Sequence, residues 1–309
     1  MILSCKNKAI VFLLCATSFL KIVSAQTVET DSLPSINNTR LIISSATIAT
    51  GYTTAIILLD QAWYKNYPRS SFHFHNDNAD WLQIDKMGHS ISSYYLSILS
   101  YKTFSWAGLD NKSATLWGSL SGWAFISVIE VLDGFSAEWG ASTGDIVANT
   151  FGTALFTTQQ LTWEEQRIKL RYSYHKSGLE VYRPDLLGTN LAENMLKDYN
   201  GITSWLSFNI NSFAGENSII PPWLNIAVGY GASGMLGSIS NPSEHNGQPL
   251  PYYKRTRHFY LSPDVDFGKI KTNSTFLKSV FSLFDFLKMP APAIEYSKEY
   301  GLQFHLVFF

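Results

Sequence analysis

The chain has 309 residues, 46% of them apolar and only 15% charged, with a net charge of −1. So low a charge, against ~25% in ordinary soluble domains, points to a membrane or a very large buried core. The near-zero net charge argues against nucleic acid as a partner, because binding phosphate needs a basic face.

The N-terminus reads as a secretory signal over residues 1–25. Lys6 and Lys8 precede the apolar run "AIVFLLCATSFL", and Val23 and Ala25 stand at the small-residue positions before a cut. Both cysteines, Cys5 and Cys15, fall inside this signal. A mature chain starting at Gln26 is therefore expected to have no disulfide, thiolate metal site or cysteine nucleophile. Leu14 is too large to precede a lipidated Cys15.

Residues 26–40 are polar and read as a linker. "LIISSATIATGYTTAIILLD", 41–60, carries no charge before Asp60 and is rich in the small residues that let helices pack closely. Three more helical segments follow at roughly 83–107, 113–134 and 142–162. Ser142 or Thr143 is the expected N-cap of the last, with Asp145 in its first turn. Each segment is apolar almost all round, as in a membrane or a deep core.

After Trp163 the pattern changes. A short helix is expected at 190–200 and another at 275–289. Alternating strands are expected at 204–213, 223–232, 257–268, 293–297 and 301–309. The predicted fold class is α+β: an N-terminal four-helix bundle with small-residue packing (41–162), then a C-terminal antiparallel β-region (163–309) with one or two short helices. The final strand, "GLQFHLVFF", resembles the C-terminal strand of bacterial outer-membrane proteins. Five strands are too few for a spanning barrel, and a small half-open sheet or a sheet resting on a bilayer is expected.

The chemistry concentrates in the helices. Asp85 and His89 are four apart and share a face. Glu130 and Asp133 are three apart, and Asp145 and Asn149 four apart. Burying such groups costs several kcal/mol unless they meet partners, so the three faces are expected to converge, with Lys86 or His89 offsetting the carboxylates. Asp85, His89, Glu130, Asp133 and Asp145 are the candidate catalytic set, and Lys86 and Asn149 candidate binding residues. His89, Glu130 and Asp133 are the candidate ligands of a divalent metal. The alternative is a buried polar network that sets helix register. His73, His75 and Asp77 form a second metal candidate, with a solvated loop as the plainer account. "GYGASGMLG" (229–237) reads as a turn rather than a phosphate cradle, and "RTRH" (255–258) as a strand end or a contact to anionic headgroups. No short motif for a hydrolase, protease or nucleotide site is present.

"DKMGH", "EVLDG" and "STGDIVANTFGTAL" together resemble the YfiM-type predicted periplasmic lipoproteins, a family of unknown function. Asp85, Lys86, His89, Glu130, Asp133, Asp145, Asn149 and Gly152 follow its pattern in order across roughly 80–160. A more distant similarity is to VanZ-like membrane proteins, from which the acidic "EVLDG" departs. The β-rich tail is similar to a Bacteroidetes-type long form. The resemblance implies an exported protein of the periplasm or outer membrane, with an inner-membrane location as the alternative. Its expected partner is a membrane lipid or envelope component. The expected function is structural or lipid-interacting, with a metal-dependent or His/carboxylate hydrolase of envelope lipid or glycan as the alternative.

Overall fold

The computed structural model describes residues 36–64, 67–215 and 218–309. The expected signal at 1–25 and most of the expected linker lie outside them. Four long helices come first: α1 (Asn38–Leu59), α2 (Ile84–Trp106), α3 (Asn111–Gly134) and α4 (Thr143–Trp163). Asn37, Asp110 and Ser142 cap α1, α3 and α4, each side chain accepting a backbone N–H of the first turn. The remaining chain forms β1 (Ile168–Tyr174), α5 (Pro184–Leu187), α6 (Leu191–Lys197), β2 (Ile202–Asn209), α7 (Ile210–Ala214) and β3 (Leu224–Ser233). It continues through the two-residue strands β4 (Glu244–His245) and β5 (Gln248–Pro249), then β6 (Thr256–Val265), α8 (Thr275–Phe284), β7 (Ala291–Ser297) and β8 (Gly301–Phe308). The α+β class with a four-helix N-terminal cluster and a C-terminal antiparallel sheet is what the sequence predicts.

Three details differ. β1 was not expected, and it makes the main sheet six-stranded, in the order β1-β2-β3-β6-β7-β8. The expected strand at 204–213 ends at Asn209, whose side chain caps α7. The expected helix at 275–289 stops at Phe284, and the next residues run along the free edge of β1. There Tyr172 N donates to Phe286 O and Lys288 N donates to Tyr172 O.

Helix packing rests on small residues. Ser90, Ser93, Ser97 and Ser100 of α2 are buried. A Cβ on Gly122 of α3 would overlap the backbone of α2 at Leu96 and Ser97. One on Gly152 of α4 would overlap the Ser90 carbonyl and Ser93 Oγ. Glycine is thus required at both crossings by contact. The α1 helix attaches through polar groups: Ser44 Oγ donates to Thr103 O at 3.0 Å, and Tyr52 Oη meets Ser100 Oγ at 2.8 Å.

Beside a few buried apolar residues such as Tyr94, Phe104, Phe125, Ile126 and Phe156, many apolar side chains face outward. Leu116, Trp117, Leu120, Val128 and Val131 of α3 and Val147 and Phe151 of α4 are exposed. The sheet repeats this inversion. Along β6, Thr256, His258, Tyr260, Ser262 and Asp264 are buried, while Phe259 and Leu261 between them are exposed. β3 and β7 do the same, with Ile226, Val228, Ile294 and Tyr296 outside and Asn225, Glu295 and Ser297 inside. The helices cover this outer face over β1, β2 and the end of β3: Leu170, opposite Leu206, packs with Tyr94 and Phe156, and Ile84 packs with Ala232 and Tyr230.

The sheet is strongly rolled. Trp205 of β2 and Phe308 of β8 are four strand spacings apart, ~19 Å in a flat sheet at ~4.8 Å each. Their ring centroids are 5.9 Å apart. The concave side encloses Arg171, Asp264 and Lys288, all buried. Arg171 Nε lies 2.9 Å from Asp264 Oδ2, and its Nη1 donates to Asp285 O at 2.5 Å and Leu287 O at 3.2 Å.

Candidate functional site

The three polar helix faces meet. Asp85, Lys86 and His89 project from the first turns of α2, Glu130 and Asp133 from the last turn of α3, and Asp145 and Asn149 from the first turns of α4. Trp81, Leu82 and Gln83 lead into α2 with φ of 47°, 50° and 69°. Three such left-handed residues are costly, on the order of 1–3 kcal/mol each. They are held by Tyr230 Oη donating to Leu82 O at 2.5 Å and by Gln83 Nε2 donating to Asn78 O at 2.7 Å. The entry of α2, and with it Asp85, is therefore fixed by a β3 residue.

Lys86 is the centre of charge. Its ammonium lies 2.6 Å from Asp77 Oδ2, 2.8 Å from Asp145 Oδ1 and 3.3 Å from Asp85 Oδ2. His89 Nδ1 meets Asn149 Oδ1 at 3.1 Å and lies 3.6 Å from Glu130 Oε1, while its Nε2 is 3.9 Å from Asp145 Oδ1. Ser142 ties the site to the helix start. Its Oγ accepts from Asp145 N at 3.0 Å and donates to Asp77 Oδ1 at 2.5 Å, and its backbone N donates to Glu130 Oε2 at 3.2 Å. Two tyrosines close the flanks: Tyr199 Oη donates to Asp85 Oδ1 at 2.9 Å, and Tyr64 Oη to Asp133 Oδ1 at 2.6 Å.

Burial sets the protonation pattern. It pushes Glu130 up to about 8, against the pull of His89. It pushes Asp133 up to about 6, although the Tyr64 hydrogen bond opposes it. Asp145 is likewise raised by burial. For His89 burial would favour the neutral ring, but Asp85, Asp145 and Glu130 together outweigh it and raise the imidazole. Lys86 is held charged in the same way, its three carboxylates overcoming desolvation. The site therefore holds an ammonium beside an imidazole and a Glu130 carboxyl that both take up a proton more readily than usual.

Within this site, the buried Glu130 Oε1 and Asn149 Nδ2 have no hydrogen-bond partner among the described residues. Asp145 Oδ1 also lacks an aligned hydrogen bond, though Lys86 neutralises it at 2.8 Å. Asp85, His89 and Asp145 can each offer one atom such that all three lie within 4.8 Å of one another. That spacing suits a divalent cation, but Lys86 already supplies positive charge at the same Asp145 oxygen. This three-residue group differs from the expected His89, Glu130 and Asp133 set, in which Asp133 is engaged by Tyr64.

Other sequence candidates have different places. Asp77 belongs to this site. His73 Nε2 instead meets Trp139 O at 2.7 Å, and His75 N donates to Ala141 O, so "FHFHND" is a strap across the α3–α4 connection. Gly152 serves helix contact, as described above. In "GYGASGMLG", Gly234 has φ of 74° and turns the chain after β3. Arg255 donates to the carbonyls of Gly237 and Ser238, and Arg257 to Gln83 Oε1 at 2.9 Å. Tyr64, Ser142 and Tyr199 were missed as site residues, and Asp77 was grouped with His73 and His75 instead. Only Asp77 and the Ser142 cap carried a signal in the sequence.

No curated protein and no solved structure matches the chain. The family described as "Predicted periplasmic lipoprotein (DUF2279)" matches residues 73–160, the segment that carries Asp77, α2, α3 and most of α4. That description agrees with an exported location in the periplasm or at the outer membrane, and over this segment the chain is similar to a periplasmic lipoprotein family of unknown function.

Proposed function

We propose that this protein works at an envelope membrane, its outer surface in contact with lipid and the α2–α4 site serving as a polar centre inside the bundle. The observation that carries this reading is the partial inversion of both layers: many Ser, Asn and Asp side chains and Arg171 are buried beside a small apolar core, while many Leu, Trp, Phe and Ile side chains lie outside. In water such an arrangement forfeits the hydrophobic gain of burial, whereas against lipid it retains it. α1 and α3 are long and apolar enough to cross a membrane, and the exposed faces of β3, β6 and β7 extend the same surface. The proposed role is structural or lipid-interacting, with Glu130 Oε1 and Asn149 Nδ2 free to meet a small polar group. Flotation with lipid vesicles after expression of the full chain tests it. Recovery in the soluble fraction without detergent refutes it.

A second reading is favoured by the ligand spacing of Asp85, His89 and Asp145. In it the site takes a divalent ion, or His89 acts as general base, for hydrolysis of an envelope lipid or glycan. Metal content of the purified protein and of His89→Ala distinguishes the two. One ion per chain that is lost in the variant supports hydrolysis, and no retained ion together with unchanged melting leaves the first reading.

A further inference from the structure

The rolled sheet holds a second polar cluster, remote in sequence from the helical site. Ser233 Oγ lies 2.7 Å from His258 Nε2, and His258 Nδ1 lies 2.6 Å from Glu295 Oε1. His305 Nε2 meets the other oxygen, Glu295 Oε2, at 2.7 Å. The four side chains run diagonally across β3, β6, β7 and β8 on the concave face. Their register explains the reach: Gly231 is opposite His258, Tyr260 opposite Glu295, and Ala293 opposite His305, so each contact joins residues two positions off the direct pair. The cluster lines a cavity of about 390 Å³ whose apolar wall includes Ile202, Tyr260, Val307 and Phe308.

We propose that Ser233, His258 and Glu295 form a nucleophilic triad that hydrolyses an acyl ester of a lipid. A carboxylate on Nδ1 fixes the neutral imidazole with its proton on that nitrogen and leaves Nε2 as the base facing the serine hydroxyl. Glu295 is available for this. Burial would raise its carboxyl, but the His258 and His305 contacts hold it below the usual range. His305 is a positioning residue, holding the second carboxylate oxygen.

The chemistry balances with water as the only co-reactant. Ser233 Oγ bonds to the ester carbonyl carbon as its proton passes to His258 Nε2. The C–O bond of the ester then breaks, and the leaving alcohol takes that proton. Water attacks the acyl-serine, His258 again takes the proton and returns it to Ser233, and a carboxylic acid leaves. The substrate class follows from the surroundings. The cavity offers an apolar wall for an acyl chain, and the reverse side of the same strands exposes Phe259, Leu261 and Ile294. A lipid-facing wall with a nucleophile behind it fits an ester that arrives from a membrane.

A fluorophosphonate probe and p-nitrophenyl esters of short and long acyl chains, applied to the full chain in mild detergent, test the proposal. Expected is a covalent adduct on Ser233 located by mass spectrometry, with ester hydrolysis that favours the longer chain. Ser233→Ala should abolish both, and Glu295→Gln should slow hydrolysis by ~10²–10⁴-fold with unchanged far-UV circular dichroism. Mapping the adduct on the unmodified chain needs no variant to fold. No adduct on the folded chain, an adduct elsewhere, or hydrolysis undiminished in Ser233→Ala overturns the proposal. The position of the adduct, on Ser233 rather than in α2 to α4, separates this site from the helical one.

Discussion

Replacing Arg171 by Met should destabilise the protein severely, and the loss should be partly recovered by a second change at Asp264. Both side chains are fully buried, with Arg171 Nε 2.9 Å from Asp264 Oδ2. The pair is close but not aligned for a hydrogen bond. Asp264 retains one donor in the variant, Ser207 Oγ at 2.7 Å. Removing one member of a buried ion pair costs ~3–5 kcal/mol, because the other charge is left without compensation. Arg171→Met also strips donors from the Asp285 and Leu287 carbonyls, at ~1–3 kcal/mol for each group that stays buried. These terms overlap, and a loss of about 4 kcal/mol is expected. Asp264→Asn in the Arg171→Met background removes an anion left with only Lys288 to offset it, so the double variant should be more stable than the sum of the singles by ~2 kcal/mol. Guanidinium unfolding of the four proteins in mild detergent, followed by tryptophan fluorescence, reads the cycle, since Trp205 lies in the same interior. A coupling below ~0.5 kcal/mol, or an Arg171→Met loss below ~1 kcal/mol, would refute an ion pair that holds the rolled sheet.

Lys288 is buried and pushed down to about 8 by desolvation, from 10.5. A depressed lysine leaves its stability intact above pH ~10.5, and that stability is lost as pH falls through 8. Lys288→Met should therefore gain up to ~3 kcal/mol at pH 7 and nothing at pH 11, and chemical denaturation at both pH values checks the difference. Gly152→Val should lower the melting temperature sharply, because its side chain must displace the Ser90 carbonyl of α2. Overpacking of this kind costs ~1–3 kcal/mol or more, and an unchanged melt would mean that α2 and α4 do not cross there.

The helical site was legible because its residues obey local geometry. Asp85 and His89 share a helix face at four residues, and so do Asp145 and Asn149. Three buried polar faces in apolar helices have few ways to be satisfied except by meeting. Ser142 was legible as a cap for the same local reason. β1 was not, since Lys169 and Arg171 alternate with apolar residues in a sheet whose buried side is the polar one. A reading that places charge outside treats that pattern as a solvated loop. Ser233, His258 and Glu295 come from three strands, 25 and 37 residues apart along the chain. No short motif holds them, and only strand order and register bring them together. Tyr64 and Tyr199 likewise reach the helical site from segments whose position depends on tertiary packing.

The edge contact of β1 also dictates an order of assembly. Arg171 emerges early from synthesis, yet the carbonyls that receive its guanidinium belong to residues 114 and 116 positions later. The bundle that precedes it closes through contacts among α2, α3 and α4, which follow one another along the chain, and such near-sequence contacts form quickly. The sheet has to wait for Asp285 to Lys288 and then for Phe308. Until they arrive, a nascent chain carries a finished helical half, its apolar faces already turned outward, beside an open trough of unmet charge. Late closure thus keeps the outward apolar strands from becoming a continuous surface until the rest of the protein is in place.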